Sequence, residues 1–293
     1  MQTIIYHEVK DSIPCPDGMM AAAVAHAYYR SVSMPTIFVG ASYRKEYPEL
    51  PDFEVEGDVT IVDFSYPLNW LKHWEGEGRS VLVIEHHADK FPWLSGFTGA
   101  ILDEKECGAT LAFRHFFPDR AMPEILKEVR RRDIGADGYY RGEIPDSEAV
   151  NSGLGMYRQE LVKEFGFVGA IDALADLILD EKHLSGDLRI AGEPEIKERD
   201  RLIALRIPLA EMRKLNGQSV IFYDFTNDRE IAKHYSMLGS RLCRAYLQAR
   251  FCWMVDGDSN HLRSINPAIH CGEIAKQQNP NGGGHPGAAG WRS

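Results

Sequence analysis

The chain has 293 residues, of which 44% are hydrophobic and 26% are charged, and its net charge is −10 at pH 7. This composition is typical of a soluble globular protein with room for two domains, because domains usually span about 100–200 residues. The acidic balance disfavours a strong grip on long DNA or RNA, including long duplexes, which requires a basic surface. No apolar stretch approaches the ~20 residues needed to cross a bilayer, so no membrane partner is expected.

The N-terminus leads directly from Met1 into a predicted strand, without the basic and apolar segments of a signal peptide. The five cysteines are scattered along the chain and lack Cys-x-x-Cys spacing. An odd number of dispersed cysteines is typical of reduced thiols. We therefore expect a cytoplasmic protein.

Strand and helix signals alternate through roughly the first 135 residues, which is the pattern of a parallel sheet flanked by helices. Strands are predicted at 2–7, 35–39, 59–63, 80–84 and 99–102, and helices at 18–30, 67–74, 107–117 and 122–132. The predicted fold class is therefore α/β.

The remainder of the chain is predicted to be helical first and mixed afterwards. Helices are expected over 145–185, with a buried apolar stripe at Leu161, Phe165, Val168, Ile171, Leu174, Leu177 and Ile178. A charged connecting helix is expected from about Pro194 to Lys214. The predicted elements that follow are a strand at 219–223, a helix at 228–247, strands at 250–256 and 260–265, a helix at 270–277 and a glycine loop.

Three of the predicted strands end in side chains that can bind a metal. The strand at 2–7 ends in His7 and is followed, after a loop, by Asp17. The strand at 59–63 ends in Asp63, and the strand at 80–84 is followed by Glu85, His86 and His87. Ligands bind beyond the carboxyl ends of parallel strands, so these side chains should lie together. A lone Asp at such a place is often only a cap or turn former. Three such ends favour a metal centre, and carboxylates with imidazoles suit Mn²⁺ or Mg²⁺ better than structural zinc.

These motifs resemble those of the DHH phosphoesterase superfamily, which includes RecJ-type exonucleases, nano-RNases, cyclic-dinucleotide phosphodiesterases and manganese pyrophosphatases. The resemblance rests on Cys-Pro-Asp-Gly at 15–18, Val-Asp-Phe-Ser at 62–65 and Glu-His-His at 85–87. Gly-Gly-Gly-His-Pro-Gly-Ala-Ala-Gly at 282–290 resembles the signature of the DHHA1 domain. The resemblance implies a parallel-sheet DHH domain at 1–190, a helical connector at 191–216 and a smaller α/β DHHA1 domain at 217–293.

Two residues depart from the family pattern. Glu85 stands where the family usually has Asp, which keeps the charge at a position that supports the site. Cys15 stands at the leading position of an Asp-x-Asp motif, and a thiol is a poor ligand for Mn²⁺ or Mg²⁺. One metal position is therefore weakened, or Asp11 or water completes it.

The resemblance also implies roles for individual residues around two ions, either Mn²⁺ or Mg²⁺ or Co²⁺. The implied metal ligands are His7, Asp17, Asp63, His86 and Asp133, with Cys15 as a further candidate. Asp63 would bridge both ions, and His87 would face the phosphate to stabilise charge or protonate the leaving oxygen. Asp133 follows a predicted helix, and its assignment depends wholly on the resemblance.

The C-terminal motifs imply a substrate-binding surface. Successive glycines let backbone amides approach an anionic oxygen closely, and Arg263 of a Leu-Arg-Ser motif could bind a terminal phosphate through two hydrogen bonds. The implied set is Arg263, Ser264, Gly282, Gly283, Gly284 and His285. A basic cluster at Lys127, Arg130, Arg131 and Arg132 fits either a solvated helix face or phosphate steering.

The resemblance therefore implies a metal-dependent phosphodiesterase, and we expect it to hydrolyse short oligonucleotides or dinucleotides to mononucleotides. A small second domain and an acidic surface suit short substrates better than long strands. Three alternatives stay open: an exopolyphosphatase or phosphomonoesterase of the same superfamily, a nucleotide-binding protein weakened by Cys15, and, least favoured, a scaffolding protein. Homodimerisation is left open.

Overall fold

The computed structural model describes residues 1–10, 13–44, 46–141, 144–180, 185–285 and 287–293, and the side chains of 10, 13, 139–141, 145, 185 and 285 lie outside this description. The chain divides into two compact units. The first contains residues 1–139 and 144–192, and the second contains the described residues 140–141 and 193–293. Among the described helices, none has the length and apolar character that a bilayer crossing requires.

The first unit is built on a parallel sheet. Its strands are β1 (Gln2–Lys10), β2 (Ile13–Pro14), β3 (Thr36–Ala41), β4 (Asp58–Val62), β5 (Val81–Glu85) and β6 (Ala100–Leu102). Five of them are parallel in the order β3-β1-β4-β5-β6, and the short β2 pairs antiparallel with the end of β1. Runs of Val and Ile form these strands because a parallel sheet is buried on both faces. The predicted α/β fold class is confirmed.

Helices cover both faces of this sheet. They are α1 (Pro16–Ser31), α2 (Leu68–Gly76), α3 (Gly108–Phe116), α4 (Glu124–Asp133) and α5 (Pro145–Leu179). Side chains of neighbouring strand residues enter opposite cores: Ile4 packs with the alanines of α1, and Ile5 packs with Trp70 and Trp74 of α2. The small residues of α1 let it approach the strands and α5 closely.

The predicted apolar stripe of residues 145–185 is correct except at two positions. Leu161, Ile171, Leu174, Leu177 and Ile178 are buried, whereas Phe165 and Val168 are more than half exposed, at 56% and 57%. The reason is Gly166, whose φ of +69° and ψ of 178° interrupt α5. The break shifts the helical phase, so the residues beside it leave the buried face.

The second unit contains a six-stranded mixed sheet and short helices. After α6 (Ser185–Arg206), its elements are β7 (Glu211–Leu215), β8 (Gln218–Asp224), α7 (Arg229–Ala232), α8 (Tyr235–Ala245), β9 (Cys252–Asp256), β10 (Ser259–Arg263), α9 (Cys271–Gln278), β11 (Gly283–His285) and β12 (Ala288–Arg292). The strand order is β11-β12-β10-β9-β8-β7, and β8 and β9 are its parallel pair.

The predicted connecting helix is wrong beyond Arg206. Within the proposed connector 191–216, α6 ends at Arg206 and residues 211–215 form β7, which pairs antiparallel with β8. Asn216 and Gly217 both have positive φ, at +49° and +75°, as a two-residue hairpin turn requires. An Asn-Gly turn between two strands therefore takes the place of the last predicted helical turns.

Candidate metal centre

The three strands that carry the predicted ligands are neighbours in the sheet, so their carboxyl ends meet at one edge. His7 lies in β1, Asp63 directly follows β4, and His86 and His87 directly follow β5. The possible metal ligands form three groups, and within each group the ligand atoms lie within 4.8 Å of one another. The groups are His7, Cys15 and Asp63; Asp17, His86 and Asp133; and Asp63, Glu85, His86 and His87. The structure thus brings together every residue that was predicted to bind metal.

Asp63 connects these groups. Its Oδ1 lies 2.9 Å from Nε2 of His86, and its Oδ2 lies 3.4 Å from Nδ1 of His7. Asp63 has a φ of +56°, in the left-handed region that few residues other than glycine adopt, although Asp is among those that tolerate it. This backbone conformation turns the carboxylate of Asp63 from the end of β4 toward both histidines.

Two atoms at this point have no hydrogen-bond partner among the described residues. Nδ1 of His7 and Oδ2 of Asp63 are both buried and unsatisfied. Leaving a buried polar atom unpaired costs about 1–3 kcal/mol, so such atoms are uncommon unless an ion or water pairs them. A carboxylate oxygen and an imidazole nitrogen are ordinary ligands of a divalent cation, so these residues fit a metal.

Asp17 is held in place by the amino end of α3. The backbone amides of Gly108 and Ala109 donate to its two carboxylate oxygens at 2.6 and 2.9 Å. Position 108 must be glycine, because a Cβ there would lie 2.6 Å from Cβ of Asp63 and 3.0 Å from Oδ2 of Asp17. Burial, reinforced by the charges of Asp63 and Asp133, raises the pKa of Asp17 well above its usual value.

His86 lies where three carboxylates converge. Its Nε2 is 2.9 Å from Asp63, 3.6 Å from Asp133 and 3.7 Å from Asp17. Burial disfavours the charged imidazole, but the three carboxylates outweigh it and raise the pKa of His86 to about 10. Conversely, burial would raise the pKa of Asp63, but the neighbouring imidazoles of His7 and His86 hold it well below its usual range. In the metal-free protein, the proton on His86 therefore supplies a positive charge among these carboxylates.

Glu85 positions His86 and His87 through hydrogen bonds. Its Oε1 accepts hydrogen bonds from the backbone amides of His86 and His87, at 2.7 and 2.8 Å, and from Nδ1 of His87 at 2.7 Å. Its Oε2 accepts a hydrogen bond of 2.6 Å from the hydroxyl of Tyr43. Burial lowers the pKa of His87, but the bond to Glu85 outweighs this and raises it above its ordinary value.

Sequence reasoning missed Tyr43. It lies in the loop after β3, outside every motif, and its ring lies 5.3 Å from the ring of His7 and 4.4 Å from that of Phe64, measured between centroids. No local pattern marks it, because its contact with Glu85 exists only once β3 and β5 are placed in one sheet.

Cys15 lies beside His7 and Asp63, immediately before α1. Its backbone amide donates to the carbonyl of His7 at 3.0 Å. Burial, together with the charges of Asp63 and Asp17, raises the pKa of its thiol well above the usual value. The thiol is therefore neutral and a weak ligand for a hard cation. Asp11, the alternative ligand, lies outside the described residues.

The basic cluster on α4 is largely paired. Three of its members bind acidic side chains: Lys127 with Glu124 at 3.0 Å, Arg130 with Glu106 at 3.0 Å, and Arg131 with Glu128 at 2.5 Å. These pairs tie α4 to itself and to the segment before α3, which favours the helix-face interpretation over phosphate steering.

The predicted substrate-binding residues of the second unit lie close together. Arg263 ends β10, an internal strand, and its guanidinium donates to Ser236 Oγ at 3.2 Å and to the carbonyl of Leu262 at 2.8 Å. The amide of Ser264 donates to the carbonyl of Gly287 at 2.9 Å, which joins the Leu-Arg-Ser motif to the glycine segment.

The glycine segment is not an open loop, contrary to the prediction. Gly282 is buried, and Gly283 and Gly284 begin β11, which pairs antiparallel with β12. Gly284 has a φ of +139°, and a Cβ there would lie 2.5 Å from the carbonyl oxygen of Ala288, so glycine permits this tight hairpin. The backbone of His285 belongs to β11, but its side chain lies outside the described residues.

No protein-family model matches the sequence. Among curated proteins, the chain is similar to the uncharacterized protein R106 of Acanthamoeba polyphaga mimivirus, with 23% identity over 148 residues. The match covers 46% of this chain and 33% of that protein, so the chain spans about a third of its relative's length.

Solved structures show a closer likeness in fold than in sequence. RecJ from Thermus thermophilus, solved in complex with Mn²⁺, is 16% identical with a TM-score of 0.52, over 99% of this chain and 49% of RecJ. An exopolyphosphatase-related protein from Bacteroides fragilis is 14% identical with a TM-score of 0.49, over 100% of this chain and 86% of that chain. The chain therefore shares the RecJ fold and spans about half of RecJ.

Proposed function

We propose that this chain is a metal-dependent phosphoesterase of the DHH superfamily that hydrolyses short oligonucleotides or dinucleotides to mononucleotides. The observation that carries the proposal is the position of Asp63, whose two oxygens face His86 and His7 and so join two groups of ligand atoms. The fold shared with RecJ and the three strand-end motifs support the same conclusion.

The two ligand groups would hold two divalent cations, Mn²⁺ or alternatively Mg²⁺ or Co²⁺. His7, Asp63 and Cys15 would hold one ion, and Asp17, Asp63, His86 and Asp133 would hold the other. When bound, such a pair supplies Lewis-acid activation of water and neutralises the charge that develops on the phosphate. Oxygen-rich donors with imidazoles favour these cations over ions that prefer thiolates.

The chain's own residues would supply the proton transfer. Glu85 accepts a hydrogen bond from Nδ1 of His87, and this bond raises the pKa of His87 and so favours its protonated form. A protonated histidine at the site can donate its proton to the leaving oxygen as a general acid. Tyr43 and Glu85 would keep His87 in the orientation that this transfer needs.

Short substrates are favoured by the charge distribution. The net charge is −10, and Lys127, Arg130 and Arg131 on α4 are engaged with acids, so this helix offers little basic surface to a long strand. Binding of a terminal phosphate by Arg263, Ser264 and the glycine segment belongs to the proposal as well. Its support is the proximity of these motifs within the second unit.

A substrate series tests the proposal. Dinucleotides, pentanucleotides, long single strands, cyclic dinucleotides, polyphosphate and a phosphomonoester would be compared with Mn²⁺, Mg²⁺, Co²⁺ or a chelator, with Asp63→Asn as the inactive control. We expect short oligonucleotides to exceed long strands by roughly tenfold, the effect of one terminal contact of ~1.4 kcal/mol. Equal efficiency on long strands would indicate a RecJ-like exonuclease, and preference for polyphosphate would indicate an exopolyphosphatase.

One observation favours a second candidate, a nucleotide-binding protein with impaired hydrolysis. The neutral thiol of Cys15 weakens the ligand group that contains His7. Nucleotide binding by the parent protein, without turnover of any substrate in the series at saturating metal, would favour this candidate.

A further inference from the structure

The first half of α5 has a packed face that contains one arginine. Residues at spacings of four, three, four and three share one side of a helix, and here they are Ser147, Asn151, Leu154, Arg158 and Leu161. Ser147 and Asn151 bond to Glu128 of α4, while Leu154 and Leu161 are only 2% and 7% exposed in the core of the first unit. Arg158 therefore lies on this face between a polar and an apolar contact. The residue is partly exposed, but its Nε is buried.

Arg158 has no partner in the part of the chain that the structure describes. Its Nε is buried without a hydrogen bond, and none of the described carboxylates forms an ion pair with its guanidinium. Other arginines of the chain are paired, as Arg131 is with Glu128 and Arg206 is with Asp228. Because a buried charged group is normally paired, the buried and unsatisfied Nε of this guanidinium points to an anion that binds there.

Arg158 lies on a helix that packs against two helices of the metal centre. α5 packs against both α1, which begins with Asp17, and α4, which ends with Asp133. Burial and the charge of Arg132 lower the pKa of Arg158 to about 10, and Cys15 and Asp17 act on it in the opposite direction. The guanidinium thus stays charged at neutral pH and supplies a positive charge near a site made largely of carboxylates.

We propose that Arg158 binds a non-bridging phosphate oxygen of the substrate beside the ligand group that contains Asp17. The inference rests on the proposed function, since it assigns the phosphate of that same substrate to one side of the site. A guanidinium matches phosphate geometry through two parallel hydrogen bonds and holds a permanent charge, which a lysine at the same place would not reproduce fully. The alternative is a purely structural arginine that neutralises Asp17.

Calorimetric titration of adenosine 5′-monophosphate into the Mn²⁺-loaded protein separates these roles. The variants are Arg158→Met, Arg158→Lys and, as a matched control on the exposed side of the same helix, Lys163→Met. We expect Arg158→Met to weaken nucleotide binding at least tenfold, Arg158→Lys to restore part of the loss, and Lys163→Met to leave it unchanged. Mn²⁺ affinity and unfolding temperature, measured in parallel, should stay within error in all three.

Two results would overturn the inference: nucleotide affinity of Arg158→Met within twofold of the parent, or a loss of nucleotide binding that is matched by a loss of Mn²⁺ affinity. A parent protein that binds no adenosine 5′-monophosphate would overturn it too. A parent that binds the nucleotide but cleaves none of the phosphodiester substrates would refute the proposed function alone, and the comparison of variants would still decide the role of Arg158.

Discussion

The bond between Tyr43 and Glu85 gives a sharp test of how the histidine pair is held. Tyr43→Phe keeps the ring that packs on Phe64 but removes the hydroxyl that donates to Glu85 Oε2 at 2.6 Å. Glu85 is fully buried, so water cannot replace the lost donor. A hydrogen bond to a buried charged group contributes about 1.5–3 kcal/mol, and we expect the free energy of unfolding to fall by that amount.

Removal of the Tyr43 hydroxyl should also lower the catalytic rate, because Glu85 orients the ring of His87. Residues that orient a site from behind typically change metal affinity or activity by about 10–100-fold, and we expect a fall in this range. Urea denaturation of the metal-free protein, and turnover at saturating Mn²⁺, measure the two effects.

Tyr47→Phe is the matched control. Tyr47 belongs to the same aromatic group, and its ring centroid lies 5.8 Å from that of Trp93. Among the described residues, its hydroxyl accepts a single hydrogen bond, of 3.2 Å, from the exposed amide of Arg44. Its removal should change stability by no more than about 0.5 kcal/mol. Equal stability and turnover of the two variants would refute the view that Tyr43 supports the site through Glu85.

Three further predictions concern the metal ligands. Gly108→Ala should weaken Mn²⁺ binding, because the new Cβ would lie 2.6 Å from Cβ of Asp63. Gly76→Ala is the control, since its new Cβ would meet open space. If calorimetry found the Mn²⁺ affinity unchanged in both variants, the packing around Gly108 would be contradicted. Cys15→Asp should raise Mn²⁺ affinity and activity at limiting metal, whereas a fall in both, with the fold intact, would show that the thiol belongs to the working centre. In the metal-free protein, the stabilisation that protonated His86 contributes should be fully present below pH 6.5 and should be lost as the pH rises through about 10. Mn²⁺ affinity should rise over the same pH interval, because the metal binds the deprotonated imidazole. A Mn²⁺ affinity that does not change with pH would contradict this prediction.

The sequence predicted the first unit well because its signals are local. Strands buried on both faces are continuous apolar runs, so β4 and β5 and the polar residues that end them can be located directly. The convergence of His7, Asp63 and His86 then follows from the parallel order of β1, β4 and β5.

Features that depend on contacts distant in the sequence could not be predicted. The Tyr43–Glu85 bond joins residues 42 positions apart, and the unpaired Arg158 stands out only when its helix face is known to be buried. The left-handed backbone of Asp63 likewise has no signal in the residues around it.

The two errors in the second unit, the helix predicted to continue to Lys214 and the predicted glycine loop, have a different cause. In each segment one local feature of the sequence competes with another. Residues 211–215 carry the charged composition of the preceding helix, but the Asn-Gly pair at 216–217 makes them one arm of a hairpin. The glycine segment was predicted to be a loop, whereas strand pairing with β12 decides its structure.

The central claim is that Asp63 joins two metal positions, and metal stoichiometry tests it most directly. Asp63→Asn is the best variant, because Asn tolerates the positive φ of this position and can keep a bond to His86 while losing the charge. Equilibrium dialysis against Mn²⁺, followed by elemental analysis, should find two ions per chain in the parent protein and no more than one in the folded variant. Two ions in Asp63→Asn, bound as tightly as in the parent, would contradict the account.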